Sequence, residues 1–174
     1  MDRKTINPLG KTFYFNLDEY SCCKLKAGIC PLEVMIVEEI KKLPKKKNFF
    51  IEENSWEYCG ELAKRIIELD DDENCDFTHS IWLYYNEKCN HYSLADGQHR
   101  TCIIAQLYQK GVRVKYNPHF SKQNEKCRKC LYIDDALKLK KQVNFLDKLF
   151  KTKKYKKYIR LLKLSQKTTL RTFI

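Results

Sequence analysis

Long apolar runs are missing from this sequence of 174 residues. No stretch approaches the roughly 20 apolar residues that a membrane-spanning helix needs, so no such helix is predicted. The first ten residues, MDRKTINPLG, contain no apolar h-region. We therefore expect a chain without a secretion signal that works in the cytoplasm, with peripheral membrane association as an alternative. Internal repeats are also missing, and the only compositional bias is toward lysine.

Acidic residues are scarce relative to basic ones. The chain has 34 lysines and arginines against 22 aspartates and glutamates, which gives a formal net charge of +12. Such a charge favours polyanionic partners, namely nucleotides, nucleic acids or anionic lipids, but it does not choose among them. The lysines concentrate at residues 41–47 and 138–167, so part of the excess can be an ordinary solvated face.

A second Cys-x-x-Cys pair is missing, although the chain has nine cysteines. Without a secretion signal these are interpreted as reduced thiols, many of them buried as small apolar groups. Cys127 and Cys130 have metal-like spacing, but a zinc site needs two further ligands. Cys22, Cys23 and Cys30 could supply them only if the fold brought them there. Metal binding by the pair is therefore an open question.

Residues 92–107, YSLADGQHRTCIIAQL, are the most informative stretch. Residues 92–95 alternate in the manner of a short strand, residues 96–100 are polar, and residues 101–107 have apolar side chains at helical spacing. The pattern predicts a strand, a tight turn and the start of a helix. The new helix would offer unpaired N–H groups and the positive end of its dipole to an anion.

The side chains of this turn suit an anionic ligand. Gly97 permits a positive φ or a close backbone approach. Arg100 carries a bidentate fork suited to phosphate, and His99 adds a donor that titrates near neutral pH. Asp96 would stay ionised and could hold a metal ion, orient a hydroxyl or accept a proton. An Asx-turn or helix cap with no ligand is the alternative interpretation of the same residues.

The segment ADGQHRT, placed between a strand and an apolar helix, resembles the signature turn of the ParB/sulfiredoxin superfamily. Members carry Gly-x-x-Arg or Asp-Gly-x-His-Arg at this place. The resemblance covers roughly Phe49 to Asn117 and is greatest to the free-serine-kinase branch, with Asp-Gly-His-His-Arg, and to proteins named for a DGQHR motif. It implies a small α+β domain that binds nucleotide phosphates at the turn.

The resemblance also implies an activity, the transfer of a phosphoryl group from ATP or ADP to a hydroxyl of a small molecule or sugar, with Mg²⁺. CTP is the alternative nucleotide, since chromosome-partition members bind it. The implied nucleotide-binding residues are Gly97, Gln98, His99, Arg100 and Thr101. The implied catalytic residues are Glu53, Asp96, His99 and Arg100, with Asp96 also as a metal ligand. Glu53 matches the glutamate base of the kinase branch by approximate spacing, and Glu57 is the second match.

Two other functions stay open. One is a nucleotide-gated, partition-like module that grips DNA through its lysine-rich tail, although no helix-turn-helix pattern is present. The other is a ParB-like nuclease, which is disfavoured because the turn offers a single acid. Sulfiredoxin chemistry is disfavoured too, because Gln98 stands where it needs a cysteine. The tail could equally contact an anionic membrane surface or only pack on the core.

The chain as a whole is predicted to be an α+β protein with a small mixed sheet and flanking helices. We expect a strand–helix extension at residues 1–46, a nucleotide-binding core at 47–120 and a basic helical tail at 121–174. The predicted strands are Lys11–Leu17, Phe49–Ile51, His79–Tyr85, His91–Ala95 and Val112–Tyr116. The predicted helices are Pro31–Leu43, Trp56–Leu69 with Ser55 as N-cap, and Thr101–Lys110 ended by Gly111. His79 and His91 are interpreted as surface or edge residues.

Overall fold

The computed structural model describes residues 2–17, 22–44, 55–70 and 76–174. Its helices are α1 (Cys23–Ala27), α2 (Pro31–Val34), α3 (Val37–Lys42), α4 (Trp56–Glu68), α5 (Gln98–Gln109), α6 (Arg128–Gln142), α7 (Phe145–Leu149) and α8 (Lys153–Lys167). Its strands are β1 (Asp2–Arg3), β2 (Thr12–Phe15), β3 (Trp82–Asn86), β4 (His91–Asp96), β5 (His119–Gln123) and β6 (Thr169–Thr172). The predicted strand Phe49–Ile51 lies outside the described residues.

The strands form one mixed sheet in the order β1-β5-β3-β4-β2-β6. The pairs β2–β4 and β3–β5 are parallel, and the other neighbours are antiparallel. The α+β prediction is therefore confirmed. Strands from residues 1–46, 47–120 and 121–174 all enter this sheet, and β6 from the far end of the chain pairs along β2.

The hydrophobic core lies between one face of the sheet and helices α4 and α5. The sheet contributes Phe13, Phe15 and Leu83, all at most 3% exposed. Phe173, just after β6, is fully buried against the rings of Phe13 and Phe15 at centroid distances of 5.9 and 6.3 Å. Helix α4 starts as predicted, because Ser55 Oγ accepts a hydrogen bond from Tyr58 N at 3.2 Å.

The opposite face of the sheet is polar and faces helix α6. It presents Tyr14, Tyr84 and Ser93, and Asn86 Nδ2 donates to Ser93 Oγ at 2.8 Å. The C-terminal helices have little apolar attachment to the sheet. Among their residues, all of which are described, Ala136 alone is buried in α6 and Ser165 alone in α8, and none is buried in α7.

Several predicted elements are wrong in extent. The single helix Pro31–Leu43 is two short helices, because Met35 and Ile36 are extended with ψ of 138° and 165°. The break buries Leu32 and Ile40 and leaves Ile36 57% exposed. The strand predicted at His79–Tyr85 begins only at Trp82.

The segment Val112–Tyr116 is not a strand of the sheet. It follows Gly111, which has the left-handed φ of +81° that ends α5. Its Tyr116 carbonyl accepts a hydrogen bond from Ile6 N at 3.0 Å, so the segment supports the N-terminal residues instead. Strands β1, β5 and β6 were not predicted.

Within the described residues, no helix combines the length and the apolar character needed to cross a membrane.

Candidate functional site

Strand β4 passes into helix α5 through Gly97, so the predicted order of strand, turn and helix is confirmed. The helix begins at Gln98, three residues before the predicted start at Thr101, so His99 and Arg100 lie in its first turn. Gly97 is the N-cap residue of α5 and has φ 79° and ψ 24°, a left-handed conformation. A Cβ atom at this position would lie 2.5 Å from Cγ1 of Ile81, whose side chain is fully buried. Both the backbone angle and the close packing therefore require glycine.

The guanidinium of Arg100 is fixed beside this turn. One nitrogen, Nη1, donates to the Phe77 carbonyl at 3.0 Å and to Ser80 Oγ at 2.7 Å. The other, Nη2, donates to Asp96 Oδ2 at 3.1 Å. The Arg100 side chain is 21% exposed and that of Asp96 is 64% exposed. The pair thus presents one largely fixed cation and one solvent-facing carboxylate.

The neighbouring side chains have different surroundings. His99 packs edge-to-face on Tyr58 of α4, with ring centroids 5.5 Å apart. Gln98 Oε1 accepts a hydrogen bond from Asn16 N at 2.6 Å, which ties the turn to the end of β2. Thr101 is buried, and its Oγ1 lies 3.0 Å from the Tyr116 hydroxyl. The Thr101 side chain therefore belongs to the core.

The helix start itself offers donors to an anion. The first backbone hydrogen bond of α5 runs from Thr101 N to the Gly97 carbonyl at 2.9 Å. The N–H groups of residues 98–100 precede that bond and have no acceptor within the helix, as at every helix start. Together with the helix dipole, they make this end of α5 suited to an anionic group.

Of the two glutamates considered as the base, Glu53 lies outside the described residues. Glu57 is in the first turn of α4 and is exposed. The contact between Tyr58 and His99 places the start of α4 beside the turn. Glu57 therefore lies on the helix whose start adjoins the candidate site.

A polar cavity of about 620 Å³ adjoins the turn on the α6 side of the sheet. Gln98 belongs to both the turn and the cavity wall. Hydroxyl, amide and charged side chains line much of the remainder, among them Tyr14, Asn16, Tyr84, Asn86, Ser93, Gln123, Lys126 and Arg128. Such a lining can hydrogen-bond a small molecule that carries several hydroxyl groups.

A cluster of three cysteines and one histidine adjoins this cavity, and one of its members, Cys127, is part of the cavity wall. Cys89 is in the β3–β4 turn and His91 starts β4, whereas Cys127 is the N-cap residue of α6 and Cys130 is in its first turn. Their four potential ligand atoms all lie within 4.8 Å of one another. Burial raises the pKa of the Cys127 and Cys130 thiols and lowers the pKa of His91.

His91, predicted to be a surface or edge residue rather than a ligand, is partly buried and lies among Cys89, Cys127 and Cys130. The available signal was the spacing Cys89-x-His91 at the tip of a predicted hairpin. Cys22, Cys23 and Cys30 are not members of the cluster.

Comparisons with models of protein families, with curated proteins and with solved structures found no match to this chain.

Proposed function

We propose that this protein binds the phosphates of a nucleotide at the start of α5 and transfers a phosphoryl group from ATP or ADP to a hydroxyl of a small molecule or sugar. One observation carries the proposal. A glycine whose backbone angle and close packing disfavour any side chain opens a twelve-residue helix whose first turn contains a fixed arginine. This arrangement agrees with the resemblance of ADGQHRT to the ParB/sulfiredoxin turn.

In this proposal the backbone N–H groups after Gly97 bind the phosphate oxygens. His99 and Arg100 stabilise the negative charge on the transferred group, the effect that dominates such reactions. Asp96, exposed and acidic, holds Mg²⁺ or orients the acceptor hydroxyl, and Glu53 accepts the acceptor's proton. The Thr101 side chain has no part, since it is buried. The adjoining polar cavity receives the acceptor.

A thermal-shift panel tests nucleotide binding. Wild-type protein and Arg100→Ala are measured with ATP, ADP, CTP and GTP in the presence of Mg²⁺. A ligand at a hundred times its Kd adds about 2.7 kcal/mol to the unfolding free energy, which a melting curve resolves. Because Arg100→Ala also leaves the Phe77 carbonyl and Ser80 without their partner, the ligand-induced shift is compared rather than the melting temperature itself.

Arg113→Ala is the matched control. Arg113 is exposed beyond the other end of α5 and contacts only Tyr108 among the interactions described for it. A shift with ATP or ADP that Arg100→Ala removes and Arg113→Ala keeps supports the proposal. A shift with CTP alone would favour a nucleotide-gated, partition-like switch, and no shift with any nucleotide would mean that the turn is structural.

Once an acceptor is found by screening, the reaction tests the role of Arg100. Its loss should lower the rate by about 10²-fold or more if it stabilises the transition state. An undiminished rate in Arg100→Ala would refute the role.

A second candidate function is attachment of the tail to an anionic membrane surface. Helix α7 and the residue after it expose Phe145, Leu146, Leu149 and Phe150 by 57–74%. A groove of about 460 Å³ runs along α8, with apolar side chains from Tyr155, Ile159 and Leu164 and basic ones from Lys151, Lys156, Arg160, Lys163 and Lys167. Exposed aromatic groups beside lysines are typical of segments that insert shallowly into anionic lipid.

Co-sedimentation with lipid vesicles tests whether the tail binds an anionic membrane or a nucleic acid. We expect the protein to bind phosphatidylserine-containing vesicles. The double change Phe145→Ser, Phe150→Ser should weaken this binding, whereas Leu137→Ser, at an exposed site of α6, should leave it unchanged. Binding to DNA with a steep salt dependence, and none to vesicles, would favour the nucleic-acid alternative.

A further inference from the structure

We propose that Cys89, His91, Cys127 and Cys130 form a closed structural zinc site that joins the β3–β4 hairpin to the start of α6. The inference is independent of the nucleotide proposal. The four side chains come from two segments of the chain, and His91 and Cys127 are 36 residues apart in sequence. Their ligand atoms nevertheless converge within 4.8 Å of one another.

Two of the measured distances match those of a tetrahedral zinc site. Zn–S bonds of about 2.3 Å and Zn–N bonds of about 2.0 Å place sulfur and nitrogen roughly 3.5 Å apart, and two sulfurs roughly 3.8 Å apart. Nδ1 of His91 lies 3.5 Å from Cys127 Sγ and 3.4 Å from Cys130 Sγ. The other pairs of ligand atoms lie no more than 4.8 Å apart, so side-chain shifts of about 1 Å would complete the tetrahedron.

The donor set selects the metal and its role. Three thiolates and one imidazole are soft and borderline ligands that favour zinc over magnesium or calcium. Four protein ligands fill a tetrahedral shell and leave no position for water or substrate, as in structural sites. When Zn²⁺ binds, the three thiols release their protons to solvent, and the sulfurs and Nδ1 each donate an electron pair. The resulting centre carries a charge of −1.

The surroundings stabilise that negative charge. Cys127 N donates a hydrogen bond to Cys89 Sγ at 3.3 Å, a contact that orients a thiolate ligand. Cys127 and Cys130 lie at the start of the fifteen-residue helix α6, where the dipole favours an anion. Arg128 adjoins the cluster in sequence and lines the same cavity, as does Lys126, which is also paired with Asp134 at 2.6 Å.

The site also supplies an attachment that the hydrophobic core does not. Helices α6, α7 and α8, described in full, together bury only Ala136 and Ser165 within their lengths. One polar contact joins α6 to the residue between α8 and β6, a hydrogen bond from Lys129 Nζ to the Thr168 carbonyl at 2.6 Å. A metal that binds both the hairpin and α6 would hold this helical layer against the polar face of the sheet.

Two metal-free arrangements compete with this one. A Cys127–Cys130 disulfide would use two sulfurs and give no role to Cys89 or His91. Thiol hydrogen bonds to the imidazole would use His91 as an acceptor but would not need a third sulfur nearby. The convergence of four donors distinguishes the zinc site from both.

The first experiment measures metal in the whole chain, purified through a tag that binds no metal. We expect one equivalent of zinc per chain by mass spectrometry. After exchange, Co²⁺ should give the intense thiolate-to-cobalt charge-transfer absorption and the visible bands of a tetrahedral Cys₃His site. A metal-free protein that takes up no Co²⁺, or one with a Cys127–Cys130 disulfide in unreduced samples, would overturn the proposal. Iron in place of zinc would overturn the assignment of the metal.

Variants then assign the ligands. Cys130→Ser should lower zinc affinity by more than the roughly 10- to 100-fold that loss of an outer-shell partner costs. Cys130→His should keep zinc, because a Cys₂His₂ set also binds zinc. This variant can form neither the Cys127–Cys130 disulfide nor the original thiol contact, so retained zinc would argue against both metal-free arrangements. Cys22→Ser, outside the cluster, is the control and should keep one equivalent. Equal zinc content in Cys130→Ser and Cys22→Ser would refute the site even if both variants are less stable.

Discussion

Replacement of Gly97 by alanine tests whether the turn needs its glycine. An L-residue in the left-handed conformation costs about 1–2 kcal/mol. The added methyl carbon would also lie 2.5 Å from Cγ1 and 3.0 Å from Cβ of Ile81, and overpacking of this kind costs about 1–3 kcal/mol. The variant should therefore lose about 2–5 kcal/mol of unfolding free energy, measured as a lower urea midpoint at unchanged slope.

The two contributions can be separated. Gly111→Ala has nearly the same φ, +81°, but its Cβ would meet nothing within 4 Å, so it should lose only the conformational part. Ile81→Ala removes the atom 2.5 Å away, and in a double-mutant cycle it should recover about 1–3 kcal/mol of the Gly97→Ala penalty. If Gly97→Ala costs no more than Gly111→Ala, the close packing of the turn on Ile81 is refuted.

Two further predictions concern the structure around the turn. The pKa of Asp76 is below its usual range, because hydrogen bonds from Thr78 and Arg3 outweigh the effect of burial. Its contribution to stability is thus present above about pH 4 and is lost as pH falls through the lower folded-state pKa. Asp76→Asn should lose less stability than wild type between neutral pH and about pH 3, and equal losses would contradict this. Ser55→Ala should lower the unfolding free energy by about 1 kcal/mol, because Tyr58 N loses its hydrogen-bond acceptor at the start of α4. The change is measured as a lower urea midpoint, and an unchanged midpoint would show that the cap is unimportant.

Local signals in the sequence predicted the elements that depend on local chemistry. Ser55 predicted the start of α4, Gly111 the end of α5, and the alternation of residues 92–95 a strand that feeds the turn. The split of Pro31–Leu43 could not be predicted, because it depends on tertiary contacts. Met35 and Leu43 pack near Gly60 of α4, and the break lets α2 and α3 follow that helix.

Long-range pairing explains the remaining differences. Strands β5 and β6, HFSKQ and TLRT, are short and partly polar, and they become strands because β3 and β2 offer free edges in register. In the same way, the Cys-x-x-Cys spacing of Cys127 and Cys130 indicated only half of the Cys/His cluster that we propose as a zinc site. The other half, Cys89 and His91, could not be predicted, because it is the parallel pairing of β3 with β5 that places the β3–β4 hairpin beside the start of α6.

The pairing of β6 with β2 has a consequence for how the protein is made. Thr12 and Thr172 hydrogen-bond across 160 residues of sequence, and Phe173 fills the core beside Phe13. A ribosome adding about 5–20 residues per second would synthesise the intervening chain in roughly 10–30 s. For that time β2 has one edge unpaired and aromatic side chains without their cover. Nascent chains should therefore depend on chaperones until residue 173 has emerged.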